Sequence, residues 1–374
     1  MNFEEYAAKP LLTAAGIAVP QGRLCRDAKA VREAAADLGP SVVKAQVPTG
    51  KRGKAGGIKL VQSPKEAEAA ANDIFGMTIG EYHVEKVLVE AQVPIAREFY
   101  AAILNHQETK SPLILFSTEG GMDIEEISAD HPDKMAHLPI DIRDGVDDEL
   151  LEHILGLLGL EEQKNALVEL FSKLYDAYRV NDAELIEINP LALTKNDELV
   201  ALDCKFTLDD SGAARRVDLA KNGVPDKLTE LEARAKEFGL KYIELDGSVG
   251  VLANGAGLTM TTMDAIRHYG GEPANFLEIG GDAYTLGKPA LEIVLASPNV
   301  KSLLVNFCGA FARTDVMVEG LLEAWDVIKP DLPVSFSIHG TGEDEAIDMV
   351  RKKLGVEPFD LMDDAVRAAV EAAR

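Results

Sequence analysis

Residues 183–205, A-E-L-I-E-I-N-P-L-A-L-T-K-N-D-E-L-V-A-L-D-C-K, restrict the fold more than any other stretch of the chain. Successive side chains of a strand point to opposite faces, so Ile186 and Ile188 share one face while Glu187 and Asn189 share the other. Pro190 has no N–H and limits how far a fully paired strand can run. Thr194-Lys195-Asn196-Asp197-Glu198 is a turn signal. A second alternating run starts at Leu199, with Val200 and Leu202 on the apolar face and Asp203 and Lys205 on the other. If the two runs pair as neighbours, Glu187, Asn189 and Asp203 bring three hard oxygen donors together, the chemistry that Mg²⁺ with phosphate oxygens requires. A half-buried hairpin with a solvated polar face is the plainer reading, and the alternation by itself leaves both open.

The first half of the chain supplies a second candidate. The run Ser41–Gln46 reads as a strand and enters Pro48-Thr49-Gly50-Lys51-Arg52-Gly53-Lys54-Ala55-Gly56-Gly57, which holds four glycines and three cations in ten residues before a strand returns at Ile58. Glycines let a backbone approach a ligand with its N–H groups free, and the cations neutralise phosphate charge. No G-K-S/T opens a helix after it, so this is not a Walker A loop, and a mobile solvated turn has the same composition. Elsewhere in this half, Asn2 and Glu5 resemble a capping box for a helix ending at Gly16 that Pro10 should kink. Ser63 caps a helix from Pro64, a strand is expected over 86–90, and 97–104 pairs with 113–117 in an antiparallel sheet. Two helices, near 147–158 and 161–178, then lead into the hairpin.

The segment 217–238 is charged and helical, broken by Gly223-Val224-Pro225, and reads as a connector. Beyond it the rhythm changes. Apolar runs at 249–254, 274–279, 302–307 and 332–338 are each followed by a helical stretch, which predicts a parallel, doubly wound sheet with ligands at the carboxyl ends of its strands. Asn254-Gly255-Ala256-Gly257 and Gly309-Ala310-Phe311-Ala312-Arg313 are two such ends, where free N–H groups and a helix dipole favour an anion. Arg313 has the geometry for a bidentate grip on a carboxylate or phosphate, although a lone surface arginine is as common. The domains expected are therefore 1–224, a connector 225–245, and 246–374.

A net charge of −25 over 374 residues argues against nucleic acid or an anionic membrane as partner. With no apolar run of spanning length and Glu4 and Glu5 where a signal peptide would be basic, a cytoplasmic protein is expected. The three cysteines, Cys25, Cys204 and Cys308, are too far apart for a disulfide framework or metal cluster and read as buried thiols.

Taken in order, V-V-K-A-Q-V, K-R-G-K-A-G-G-I-K, V-L-V-E-A, S-T-E-G-G-M-D-I-E-E-I, L-I-E-I-N-P-L, A-L-D-x-K, V-x-x-N-G-A-G-L-x-M-x-T-M-D, G-G-E-P-A-N-F-L-E-I-G-G and V-N-F-C-G-A-F-A-R-T-D resemble the β subunit of succinyl-CoA synthetase across essentially the whole chain. The resemblance implies an N-terminal ATP-grasp domain of α+β type followed by a flavodoxin-like α/β CoA-ligase domain. It also implies a partner α subunit, in an αβ or α2β2 assembly, that binds CoA and carries a phosphorylated histidine. None of the seven histidines here lies in a nucleophile motif, which agrees. The implied reaction, known from the tricarboxylic acid cycle, converts acid, CoA and ATP or GTP to acyl-CoA, nucleoside diphosphate and phosphate through acyl phosphate and phosphohistidine.

Residue by residue, the resemblance implies that Lys44, Lys51, Arg52 and Gly53 contact nucleotide phosphates and that Glu90, Val93 and Glu98 line the nucleotide pocket. Asn189 and Asp203 would bind Mg²⁺, with Glu187 and Arg313 as the catalytic side chains. Asn254, Gly255, Gly257, Gly309, Ala310 and Phe311 would face the phosphohistidine and the acyl substrate. The chain also departs from the pattern. Pro48 and Lys51 replace a His and a Gly of the cover loop, and the segment between Phe75 and Lys86 is short, so a hairpin there is expected to be trimmed. Gly309-Ala310-Phe311-Ala312, Thr314, Asp282-Ala283-Tyr284-Thr285 and 337–342 differ where acid and phosphohistidine should meet. These changes raise malate or a short sulfonated or otherwise substituted carboxylate beside succinate. A nucleotide-binding regulatory subunit and an ATP-grasp carboxylate–amine ligase are the rival functions, the second leaving the C-terminal half unexplained.

Overall fold

The structure is a computed structural model that describes residues 1–225, 227–279, 286–310 and 312–374, less the side chains at 127, 129 and 130. The chain divides into two compact units at 226/227. Among the described residues no helix is long and apolar enough to cross a membrane.

The first unit is built on two antiparallel sheets. In the larger, the long strand Ala183–Thr194 lies between Ile95–His106 and Lys205–Leu208, and the sheet continues to Ser111–Ser117 and Met135–Pro139 on one side and to Asn2–Phe3 and Gly223–Val224 on the other. Helices Glu5–Ala14, Asp148–Leu157 and Lys164–Val180 supply leucines, tyrosines and Phe171 to the core against it, where Ile186, Ile188, Phe99, Phe116 and Phe206 are fully buried. The smaller sheet runs Gly22–Cys25, Val87–Ala91, Ser41–Ala45, Ile58–Val61 under the alanine-rich helices Ala28–Leu38 and Pro64–Ile74. Ser63 caps the second of these by accepting from the Glu66 N–H, as expected.

Several expectations change here. Asn2 is no helix cap: it pairs with Thr207 and Val224 in the large sheet, and the helix starts after Glu4 without a side-chain cap. Pairing of residues 2–3 with 223–224 also places Gly223-Val224 inside the first sheet. Residues 230–244, read as part of a connector, fold as the helix Glu230–Glu237, closed by a capping box at Thr229, and the edge strand Lys241–Glu244. That strand pairs antiparallel with Asn275–Ile279 in the second unit. The short segment after Phe75 keeps a minimal hairpin, Thr78–Ile79 against Tyr82–His83.

The second unit is the doubly wound sheet. Its order is Lys241–Glu244, Asn275–Ile279, Val249–Asn254, Ser302–Gly309, Val334–Gly340, and the last four strands are parallel. Strands buried on both faces explain the continuous apolar runs, since helices cover each side. The helices Ala256–His268 and Thr314–Ile328 start at the carboxyl ends of two neighbouring strands.

The large sheet should fail at its centre. Phe206 is fully buried and meets Phe3 edge-on, ring centroids 4.9 Å apart. Phe206→Ala is expected to destabilise the first unit by about 3–5 kcal/mol, read as a shift of its urea transition. A loss under about 1 kcal/mol would show that the sheet closes without this contact.

Candidate active site

The polar pair of runs does form a hairpin, but the pairing is not continuous and the second run is broken into two strands. Leu191, Ala192 and Leu193 pair with Ala201, Val200 and Leu199, and Glu187 pairs with Lys205 further along. Between these patches the ladder opens on both sides. The pairing to Ile95–His106 shifts register between Ile188 and Leu191, around Pro190, and Leu202–Cys204 belong to no strand. Alternation therefore does not place Asp203; a break in the strand does. Its consequence is that the Leu202 carbonyl, Asp203 and Asn189 all reach one cleft.

The cleft has a volume of about 510 Å³. Lys44, Lys51, Arg52, Gly53, Glu90, Val93, Glu187, Asn189 and Asp203 all line it, so most of the residues expected at a nucleotide site do come together. Glu98 does not line it; its Oε2 lies 2.7 Å from the point where a Gly121 side chain would begin. Lys51, where the family pattern has glycine, adopts φ 62°, the left-handed region that glycine favours.

Six charges meet at the inner wall. Lys44 Nζ lies 2.9 Å from Glu5 Oε1, 2.6 Å from Glu90 Oε2 and 2.5 Å from the Leu202 carbonyl oxygen. Arg52 donates to Glu5 Oε2 at 2.8 Å and grips both oxygens of Asp203 at 2.6 and 2.7 Å. Lys9 lies 2.7 Å from Glu5 Oε1 and donates to Glu90 Oε1 at 2.5 Å and to the Leu202 carbonyl at 2.9 Å. Three cations thus neutralise three carboxylates. Burial alone would raise the Glu5 carboxyl, but Lys44, Lys9 and Arg52 overcome it and hold it well below the usual carboxylate range. Burial alone would likewise lower Lys44, yet Glu5, Glu90 and Asp203 push it above the ordinary lysine value. Both groups stay charged.

Glu5 and Lys9 were missed in the sequence. Both sit at helical spacing (i, i+4) in the first helix, where such a pair ordinarily marks a solvated face; only their burial at 2% and 5% exposure reveals the difference.

The outer loop is also paired. Lys54 donates to Asp123 at 2.6 Å and Glu126 at 3.0 Å, and Lys51 lies 3.8 Å from Asp123. Asn189 Oδ1 accepts from the Gly121 N–H and its amide donates to the Met122 carbonyl, both at 2.8 Å. Asn189 and Asp203 are hard oxygen donors, and Asp203 already holds a guanidinium with both oxygens, which makes it a cation-binding position. The pair therefore fits Mg²⁺ in donor type and charge. Glu187 behaves differently: burial raises its pKa, partly offset by Lys205 and by the Tyr100 hydroxyl that donates to it at 3.2 Å.

In the second unit the expected anion ends are tied to the protein itself. Both polar atoms of the Asn254 side chain bond the Cys308 backbone, at 2.8 and 2.9 Å, so this amide clamps two strands together. Arg313 makes its bidentate grip on Asp315, at 2.8–3.3 Å, rather than standing free. Gly255 opens its helix with φ 84° and Gly257 is exposed in the first turn. Gly309 is buried, and Gly340 passes so close that a Cβ there would lie 1.9 Å from the Gly309 carbonyl oxygen. The Ala310 carbonyl accepts from Thr341. Phe311, Gly280, Gly281 and the run Asp282–Thr285 lie outside the described residues. Cys308 is exposed, not buried as its spacing suggested, because it lies at the open carboxyl end of its strand.

Comparison with known proteins gives two family-model matches, an ATP-grasp domain over residues 2–193 and a CoA-ligase over 252–371. The chain is 38% identical to the succinate–CoA ligase [ADP-forming] subunit beta of Nautilia profundicola, over all of this chain and 99% of that one. It is 41% identical to the protein of that name from Rubrobacter xylanophilus, again over all of this chain and 99% of the other. A solved ATP citrate lyase from Methanothrix soehngenii, in complex with citrate and coenzyme A, shares the fold at TM-score 0.71 and 23% identity over 99% of each chain.

The raised pKa of Glu187 fixes the sign of a pH effect. A carboxyl raised in the folded state contributes stability that is complete below its ordinary value of about 4.3 and is lost as pH rises through the raised value. Glu187→Gln, which mimics the neutral form, is expected to raise the thermal midpoint at pH 7 and to match the native protein at pH 4. An equal gain at both pH values would show that Glu187 does not titrate abnormally.

Proposed function

This chain belongs to the family of ADP-forming succinate–CoA ligase β subunits, acid–thiol ligases with an ATP-grasp domain followed by a CoA-ligase domain, and on that footing we propose how its cleft works. The cleft of the first unit binds ATP or ADP. An α subunit supplies the CoA site and a histidine that carries phosphate between nucleotide and acid. The observation that carries this reading is the shared wall on which Lys44, Arg52, Glu187, Asn189 and Asp203 stand together.

In this reading Lys44, Lys51, Arg52 and the Gly53 backbone hold the polyphosphate, and Glu90 and Val93 border the nucleoside. Asn189 and Asp203 hold Mg²⁺, which when bound neutralises phosphate oxygens as charge moves between them. Arg52 exchanges the two Asp203 oxygens on its Nη2 for phosphate oxygens, so one anionic partner replaces another. Glu187, screened by Tyr100 and Lys205, faces the incoming histidine. The acid is succinate or, given the altered C-terminal loops, malate or another short substituted or sulfonated carboxylate.

The regulatory alternative differs in one readout. With the α subunit present, ATP is expected to place acid-labile phosphate on that partner; binding without transfer would favour a regulatory subunit. Asp203→Asn is expected to weaken Mg²⁺-dependent nucleotide binding at least about tenfold, or ~1.4 kcal/mol, by calorimetry. Unchanged affinity would remove Asp203 from the metal site. Assay of the αβ pair with a panel of acids decides the substrate, and fastest turnover with succinate would end the malate and sulfonate alternatives.

A further inference from the structure

Two ammonium groups share one set of acceptors. Lys9 and Lys44 both contact Glu5 Oε1, both contact the Glu90 carboxylate and both contact the Leu202 carbonyl. Like charges brought onto common acceptors repel, and the arrangement persists only because two buried carboxylates lie between them. The two lysines are not equivalent. Lys44 lines the cleft, whereas Lys9, on the first helix, does not. Lys9 is therefore set back from a ligand there, although its ammonium shares the three acceptors of the Lys44 ammonium.

The use of such a pair follows from the cost of buried charge. Glu5 and Glu90 are each 2% exposed. A carboxylate so placed and stripped of its partner is strongly unfavourable. If Lys44 and Arg52 turn toward a polyphosphate, each gives up part of its hold on Glu5 or Glu90, and something must remain behind to balance them. We propose that Lys9 is a positioning residue for the nucleotide site: the resident counter-ion of Glu5 and Glu90 that leaves Lys44 and Arg52 free to turn toward phosphate. It acts on the ligand only through those two residues. Without its charge, the inner wall holds two cations against three carboxylates, and Lys44 and Arg52 are drawn inward.

This inference rests on the proposed nucleotide site and deepens it, so the test separates the two. Mg·ADP is titrated onto the full chain by calorimetry, and steady-state rates are measured with the α subunit. Lys9→Met is expected to weaken Mg·ADP binding at least tenfold and to raise the nucleotide KM by a similar factor, while kcat at saturation changes less than threefold. Lys9→Arg, which keeps the charge, is expected to stay within about threefold of the native affinity. The double variant Lys9→Met with Glu5→Gln restores two cations against two carboxylates, and is expected to recover affinity to within about threefold. A residue that merely packs the helix would give no such recovery.

If the native chain binds no Mg·ADP, the proposed function falls and the role of Lys9 falls with it. If the native chain binds and Lys9→Met binds equally well, or the double variant is weaker than Lys9→Met, the role of Lys9 alone is overturned. Should Lys9→Met not fold, Lys9→Arg and the charge-balanced double variant carry the decision. A tenfold loss in either then overturns the proposal.

Discussion

The N-terminal unit depends on a closed charge balance inside its cleft. Lys9, Lys44 and Arg52 face Glu5, Glu90 and Asp203, five of the six being buried. Each of the six comes from a different stretch except Glu5 and Lys9. The contributors are the first helix, the strand Ser41–Ala45, the cover loop, the strand Val87–Ala91 and the gap after Leu199–Ala201. Removing one partner from such a set leaves an uncompensated buried charge, typically costing about 3–5 kcal/mol. In the proposed function the same interactions that fix these segments also prepare the phosphate site, because cations held by carboxylates can change partner without crossing water.

The cover loop has two regimes of charge. Arg52 is buried and bonds Glu5, the Ala45 carbonyl and Asp203, whereas Lys51 and Lys54 are exposed and pair with Asp123 and Glu126 through contacts that solvent screens. Arg52 accordingly sets the position of the loop's root, and the two lysines add positive field above it.

The C-terminal unit follows a different logic. Its apolar runs are buried on both faces, and its polar groups gather where strands end and helices begin. Asn254 to Cys308, Arg313 to Asp315, and the close passage of Gly340 past Gly309 make those ends a tightly bonded rim. Close backbone approach explains the glycines at 309 and 340, where a Cβ would lie 1.9 Å from a carbonyl oxygen, while the partner choices of Asn254 and Arg313 were invisible to spacing, since both residue types suit a ligand equally well.

Local signals in the sequence determined the elements: two antiparallel runs around a proline and a turn, a glycine-rich cationic loop between strands, and four βα alternations. Period and turn chemistry act over a few residues, so they survive in any context. The ordered motif set then carried the family and most of the cleft, Lys44 to Asp203. Tertiary structure alone decided that Asn2 joins a sheet edge instead of a helix cap, that 230–244 extends the second sheet, and that Glu5 and Lys9 enter the charge cluster. Strand pairing and burial bring together residues more than two hundred positions apart, and the cost of an unpaired buried charge depends on those distant neighbours, which no window of sequence contains.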